Sequence, residues 1–501
     1  MASSFPSSCT LKYLFTLLLV FSMYIQNARN CNAFQTFGFE VHHRFSEQVK
    51  AIMGGDNLPE IGSREYYAAI AHRDKIFRGR ALADDDDSKL LTFSNDQTAH
   101  IASLGSLHYV NVTLGTPSVS FLVALDTGTN FTELNLNVYS INSSSSSKAV
   151  SCNSNLCDQR QKGCSDLSSQ CPYKVEYNED ITSSGILVED VLRLNTDNHK
   201  PKDIETRITF GCGQVQTGFY LDGAASNGLF GLGIGETSLP SILSSKGLVA
   251  DSFSMCFGFD GVERISFGDI GSSDHVETPF NFRQERPRYN ITVTHLGVGG
   301  NLSDLNVSAI FYSGAEITYL SDPAYTALCD TFDSQILQAR SSETHIYEYC
   351  YDNSTFVCIE FLIPNITLIM KGRSQFNVYN PMVPIITDGM ITAYCLGVLK
   401  ASNGNFIGHN FMTGHHIVFD RVKYVLGWKA SNCTDKIPRN PTSVNGGTPK
   451  NGTRDTTTST ISTKKNKALT TTLVSVGSSL LLFAVIICCI IWKKRKSREG
   501  K

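Results

Sequence analysis

Two copies of one short pattern constrain this 501-residue chain more than any other feature. The first copy is Ala124-Leu125-Asp126-Thr127-Gly128-Thr129 and the second, 186 residues later (312 − 126), is Ile310-Phe311-Tyr312-Ser313-Gly314-Ala315. Each is an apolar run that enters a hydroxyl-glycine turn. Each is followed downstream by an apolar-apolar-glycine element, Leu229-Phe230-Gly231 after the first and Phe406-Ile407-Gly408 after the second. The same strand, turn and short apolar strand repeated in the same order imply two related lobes facing each other.

The surrounding grammar is β. His108 to Leu114 alternates, with Val110, Val112 and Leu114 on one face, and Gly115-Thr116-Pro117 then punctuates a turn. Phe121 to Leu125 is a continuous apolar run and reads as a buried strand. Tyrosine and phenylalanine total 48 (19 + 29), glycine recurs often and helical periods are rare, so the expected class is all-β with short strands. Helical spacing is predicted only near Glu65 to Ile76, in a basic segment that holds His42, His43, Arg44, His72, Arg73, Lys75, Arg78 and Arg80. That segment is either a helix with solvated charged faces or a removable basic leader over an acidic cleft. Charged residues make up 18%, and the net charge is -3. The last nine residues carry six Lys/Arg, so the rest of the chain is mildly acidic, which argues against nucleic acid as a partner.

The ends give the compartment. Lys12 followed by the apolar run Tyr13 to Ile25 reads as a secretory signal over residues 1–28. Residues 434–468 are rich in Thr, Ser, Asn, Gly, Pro and Lys, a stalk with too few apolar residues for a core. A transmembrane helix is expected over 469–492, because Leu473 to Trp492 carries no charge and is long enough to span hydrocarbon. The basic run over 493–501 then places the tail in the cytoplasm. The expected topology is single-pass type I, with the body extracellular or lumenal at the plasma membrane or an endomembrane. Ten N-x-[ST] sequons, Asn111, Asn130, Asn290, Asn365 and Asn432 among them, agree with secretion. Of fifteen cysteines, twelve fall in that body. Cys152, Cys157, Cys164, Cys171, Cys212, Cys256, Cys350, Cys395 and Cys433 are candidates for disulfides. The first four could alternatively hold zinc, although they lack a tight C-x2-C knuckle. Cys329 and Cys358 either pair or leave a free thiol.

The motifs together resemble the plant pepsin-like aspartic proteases, specifically the nepenthesin-like kind with a cysteine-rich insert in the first lobe. The segments that carry the resemblance are Phe39-Glu-Val-His-His-Arg-Phe45, Ala71-His-Arg-Asp-Lys-Ile-Phe-Arg-Gly-Arg80, Asp126-Thr-Gly128, Cys171-Pro-Tyr173, Phe210-Gly-Cys-Gly213, Gly228-Leu-Phe-Gly-Leu-Gly233 and Val425-Leu-Gly-Trp428. They run in order from about residue 36 to about residue 433. The resemblance implies a bilobal fold with a pro-segment over 29–100, an N-terminal lobe over 101–280 and a C-terminal lobe over 281–433. It implies endopeptidase chemistry without a cofactor or metal, in a monomer that takes a peptide or protein in the interlobe cleft. Two aspartates, one per lobe, share a proton, so that one activates water while the other polarises the scissile carbonyl. Thr127, Gly128, Ser313 and Gly314 support the two turns, and Tyr177 matches the tyrosine of a flap that closes over the substrate.

The catalytic centre departs from that pattern. Asp126 holds the first aspartate position, but Tyr312 stands at the second and Ala315 replaces the threonine expected three residues on. Glu133 stands where a tryptophan is usual, and the segment from Asn130 to Tyr139 is short and free of cysteine. A phenol with an ordinary pKa near ~10 is neutral at acidic pH and supplies no second carboxylate. Two functions therefore compete: an aspartic endopeptidase with reduced or lost activity, and a membrane-tethered pseudoprotease that binds peptides without cutting them. Of the acidic residues that could substitute, Glu316 is the nearest candidate, Asp322 belongs to the helix-like Ser321-Asp-Pro-Ala-Tyr325 after the strand, and Asp304 lies too early. His409, His415 and His416 have no recognisable ligand spacing and are expected to be exposed or packed, and Gly228 to Gly235 lacks the Gly-Lys-Ser/Thr ending of a phosphate loop.

Overall fold

The computed structural model describes residues 36–434 apart from 56–57, 82–103, 105, 135–138, 158–163, 165, 167–168, 177–181, 196–202, 218–226, 282–287, 344 and 354–362. The expected signal at 1–28, the stalk, the span at 469–492, the basic tail, Tyr177 and Cys358 lie outside the described residues. Among the described residues no helix is long and apolar enough to cross a membrane.

The architecture is all-β and bilobal. A 14-stranded sheet runs through the first lobe and the interlobe region, a 7-stranded sheet forms the second lobe, and a 3-stranded sheet flanks it. The alternating run His108–Leu114 is a strand, and its Val110, Val112 and Leu114 lie in the main core. It pairs antiparallel with Val119–Asp126, whose last six residues are all buried, so Asp126 closes a buried strand. The repeated pattern is a repeated structure. Val119–Asp126 pairs in parallel with Gly228–Gly231, matching Ala124 to Leu229 and Asp126 to Gly231. In the second lobe Asn301–Phe311 pairs in parallel with Phe406–Ile407, matching Ile310 to Phe406.

The two lobes meet in the large sheet, where Ser252–Phe257 of the first pairs antiparallel with His415–Asp420 of the second. Phe253 stacks on Phe419 there at 4.7 Å. On the other edge of this region sits a strand from the leader, Phe37–His43, which pairs with Glu263–Phe267 and, at its end, with His108 and Tyr109. Phe37, Phe39 and Val41 of this strand are buried in the main core. The leader continues into the helix Arg64–Ala81, which covers the predicted stretch Glu65 to Ile76. It settles on the second lobe: the Tyr67 hydroxyl donates to Pro384 O at 3.0 Å, and Arg78 lies 3.7 Å over the Tyr319 ring.

Among the described residues four disulfides form, Cys152–Cys164, Cys157–Cys171, Cys256–Cys433 and Cys350–Cys395. The first two interlace in the cysteine-rich insert, so these cysteines are cross-linked rather than assembled around zinc. Cys212 is a correction to the expected set, because it is a free, buried thiol. It pairs across the sheet with Leu134, in the strand Glu133–Leu134, which holds no cysteine to meet it. Cys329 is also free and buried.

Candidate active site

Both turns lie at the seam between the lobes and grip each other through their hydroxyls. Thr127 Oγ1 accepts from the Ser313 backbone N–H at 3.0 Å, and Ser313 Oγ accepts from the Thr127 N–H at 3.3 Å. This reciprocal pair needs a short hydroxyl side chain after each strand end, which explains the repeated Ser/Thr. It fixes the two strand ends to within hydrogen-bond tolerance of one another.

Asp126 is 1% exposed and accepts two hydrogen bonds from its own turn. The Gly128 N–H donates to Oδ1 at 2.7 Å, and the Thr129 hydroxyl donates to Oδ2 at 3.0 Å. The second turn repeats the backbone but not the chemistry. The Ala315 N–H donates to Tyr312 O at 3.2 Å, as the Thr129 N–H does to Asp126 O at 3.4 Å in the first lobe. The side chain at 312 is a phenol, and Ala315 has no hydroxyl in the place of Thr129 Oγ1. The Tyr312 ring is fully buried and rests against the backbone of both turns. A Cβ on Gly128 would stand 2.6 Å from Tyr312 Cε2 and 3.2 Å from Asp126 Oδ1, so glycine is what allows ring and carboxylate to share this space.

The leader covers the second turn. Arg73 Nη1 donates to Gly314 O and to Asp74 Oδ1, both at 2.6 Å. Asp74 is fully buried, and its Oδ2 accepts from the N–H groups of Glu316 (3.0 Å) and Ile317 (3.2 Å) and from the Tyr319 hydroxyl (3.3 Å). Tyr312 belongs to one buried cluster with Phe45, Tyr66, Tyr67, Ala69 and Ile70 of the leader. Sequence reasoning missed the role of Arg73 and Asp74. The motif Ala71-His-Arg-Asp-Lys contains them, but nothing in it says which residue turns inward.

The other predicted residues are placed as follows. Glu316 turns away from the hydroxyl grip toward His43, His108 and His409. Asp322 pairs with Lys400 at 2.6 Å, and Asp304 lies 3.3 Å from His295 on an exposed strand. Glu133 is buried in the short strand Glu133–Leu134, opposite Leu229, in the register that Tyr319 holds opposite Phe406 in the second lobe. Burial first, and the Glu133 charge next, hold the Tyr173 phenol well above its ordinary pKa. His415 is sandwiched by Phe376 and Tyr379, and burial pulls its pKa down to about 4. His416 lies 3.1 Å from Asp269.

Comparison with known proteins agrees with this geometry. The chain is 48% identical over 451 residues to "Aspartyl protease family protein 1" of Arabidopsis thaliana, covering 85% of this chain and 87% of the relative. It belongs to the plant aspartic protease family. "Aspartic proteinase-like protein 1" of Arabidopsis thaliana is 34% identical over 449 residues, 80% of this chain and 82% of that one. Matches to the families described as Xylanase inhibitor N-terminal and Xylanase inhibitor C-terminal span residues 108–269 and 288–430, one per lobe. Among solved structures, basic 7S globulin from soybean aligns with TM-score 0.54 and 20% identity, covering 65% of this chain and 92% of that one. Conglutin gamma from lupine seeds aligns with TM-score 0.52 and 21% identity over 65% and 91%. These two share the pepsin-like fold with this member of the aspartic protease family.

Proposed function

We propose that this aspartic protease family member binds peptides in the groove between its lobes and hydrolyses them poorly or not at all. The observation that carries the reading is Tyr312, whose buried ring fills the space where the second lobe would present a carboxylate. Peptide hydrolysis by this architecture needs one carboxylate to take a proton from water and another to give one to the carbonyl oxygen. Asp126 keeps the base half, with its two donors in place. The acid half falls to a neutral phenol, and the ring takes the room of the attacking water.

The leader over 29–100 serves as the pro-segment in this reading, because its helix lies on Gly314 through Arg73. The body faces the outside of the cell or an endomembrane lumen. Four disulfides support an oxidising compartment. The sequence at 1–28 supports entry to the secretory pathway, and 469–492 with the basic tail supports a single-pass anchor. The occupant of the groove is a peptide or protein segment, bound by a monomer without cofactor.

The test is peptide cleavage at acidic pH by wild type beside Tyr312→Asp, and beside Tyr312→Asp with Ala315→Thr. General acid catalysis is worth roughly 10²- to 10⁴-fold, so the double variant is expected to exceed wild type by about that factor in kcat/KM. Wild-type turnover that matches either folded variant refutes the proposal and returns the chain to the active endopeptidases.

A further inference from the structure

Five side chains from distant parts of the chain meet beside the second turn, apart from Asp126. His108 opens the strand His108–Leu114, His409 starts the helical turn His409–Met412, and Glu263 begins Glu263–Phe267. Glu316 follows the turn of Tyr312, and His43 ends the leader strand. His108 is 2% exposed, Glu263 3% and His409 9%.

Glu263 orients both rings. His108 Nδ1 lies 2.8 Å from Glu263 Oε2, and His409 Nε2 lies 3.1 Å from Glu263 Oε1. The carboxylate takes the His108 Nδ1–H, which leaves His108 Nε2 as a bare lone pair, while His409 faces Glu263 with Nε2 and Glu316 with Nδ1. Both point at Glu316: His108 Nε2 is 3.9 Å from Oε2, and His409 Nδ1 is 3.5 Å from Oε1. Among the described residues, His108 Nε2, His409 Nε2, His43 Nε2 and Glu316 Oε2 have no hydrogen-bond partner although all four atoms are buried. Orphaned buried polar atoms that converge are uncommon and call for an explanation.

We propose that His108 Nε2, His409 Nδ1 and the Glu316 carboxylate bind one divalent cation of the zinc type, with the Glu263 carboxylate behind the two histidines holding their far ring nitrogens. The three donor atoms lie within 4.8 Å of one another. Tetrahedral zinc with bonds of about 2.0–2.1 Å needs donors about 3.3 Å apart, so small rotations of the side chains close the shell. His43 is the nearest further group, its Nε2 3.9 Å from Glu316 Oε2. Its Nδ1 accepts from the Phe45 N–H at 3.4 Å, so its Nε2 faces Glu316 beyond hydrogen-bond distance and the fourth position is left to water.

Charge supports the same assignment, because the carboxylates of Glu263 and Glu316 balance one divalent ion held by two neutral imidazoles, any proton on His409 Nδ1 leaving to solvent as its lone pair forms the metal bond. Ligands from both lobes would be joined by one ion, and this assignment does not depend on whether the groove cuts peptides.

The test strips the full-length chain with a chelator and titrates it with zinc chloride, reading zinc content, melting temperature and, with cobalt(II) as the probe, the visible absorption of a tetrahedral nitrogen/oxygen site. One equivalent is expected to bind and to raise the melting temperature by several degrees at saturation. His108→Asn is expected to lose that equivalent, while His415→Asn, outside the cluster, keeps it. Glu263→Gln leaves all three ligands and is expected to weaken zinc about 10- to 100-fold. A wild-type chain that takes up no equivalent overturns the site. So does zinc that survives His108→Asn, or, where that variant does not fold, an affinity unchanged by Glu263→Gln.

Discussion

Removing Arg73 should release the leader helix by a predictable amount. Arg73 and Asp74 are 5% and 0% exposed at their side chains and meet at 2.6 Å, and Arg73 also holds Gly314 O. Truncating one partner of a buried ion pair typically costs about 3–5 kcal/mol, because the other charge stays buried without compensation. Asp74 keeps its contacts to the Glu316 and Ile317 N–H groups, so the lower half of that range is expected for Arg73→Ala, about 3 kcal/mol. A tenfold change in an equilibrium corresponds to about 1.4 kcal/mol, so the undocked helix should become roughly 100-fold more populated.

Native-state proteolysis reads that population directly when opening and closing are fast relative to cleavage. Cleavage within Arg64–Ala81 should accelerate by the same factor of roughly 100, with little change at sites in the second lobe. Arg73→Met with Asp74→Asn should recover most of the loss, since a neutral pair of similar shape removes the charge that needed compensation while the amide oxygen still accepts from Ile317 N–H. Two results would refute the reasoning. One is an Arg73→Ala chain cleaved at the wild-type rate, and the other is a double variant as labile as the single.

Asp269 is pushed up by burial, but His416, the Ser254 hydroxyl and the Gly271 N–H outweigh that and hold it at about 2. A depressed carboxyl contributes stability above its unfolded pKa and loses it as pH falls through the folded value, so Asp269→Asn should lower stability by about 2 kcal/mol at pH 5. The gap should close toward pH 2, as thermal melts across that range would show. Cys256–Cys433 spans 177 residues and ties the end of the second lobe to the interlobe strand. Replacing both cysteines with serine should cost about 3–5 kcal/mol on the loop-entropy argument, read by denaturant titration. A cost below that of the 12-residue-separated Cys152–Cys164 pair would count against the argument.

The repeated turns were legible because their signal is local: an apolar run, a hydroxyl residue and glycine announce a strand end, and the pairings of Ala124 with Leu229 and Ile310 with Phe406 follow. The leader strand was not read, although Phe37, Phe39 and Val41 alternate plainly. Its partner is Glu263–Phe267, more than 200 residues away, and the residues that follow it carry dense charge that gives no sign of a buried strand. The state of Cys212 is not legible in the sequence, because counting cysteines says nothing about which segment lies opposite, and here that segment is Glu133–Leu134. The histidine cluster is illegible for the same reason. Positions 43, 108, 263, 316 and 409 have no spacing in common, and only the closing of the two lobes and the leader strand brings them together.

Tyr312 also changes what the leader rests on. A helix docked over an ionised carboxylate must dehydrate it, which costs several kcal/mol unless a cation is supplied. A tyrosine in the same place buries apolar area, worth about 25 cal/mol per Å², and here it shares a cluster with Tyr66, Tyr67, Ala69 and Ile70. Arg73 accordingly turns to the carbonyl of Gly314 and to its own neighbour Asp74. The substitution that removes half of the catalytic pair therefore also improves the seat of the segment that covers it. Tyr312→Asp should separate the two effects in one chain. It should raise turnover and, by putting a carboxylate under the helix, speed cleavage within Arg64–Ala81. A variant that gains activity while its leader stays as protected as in wild type would show that the two roles of Tyr312 are independent.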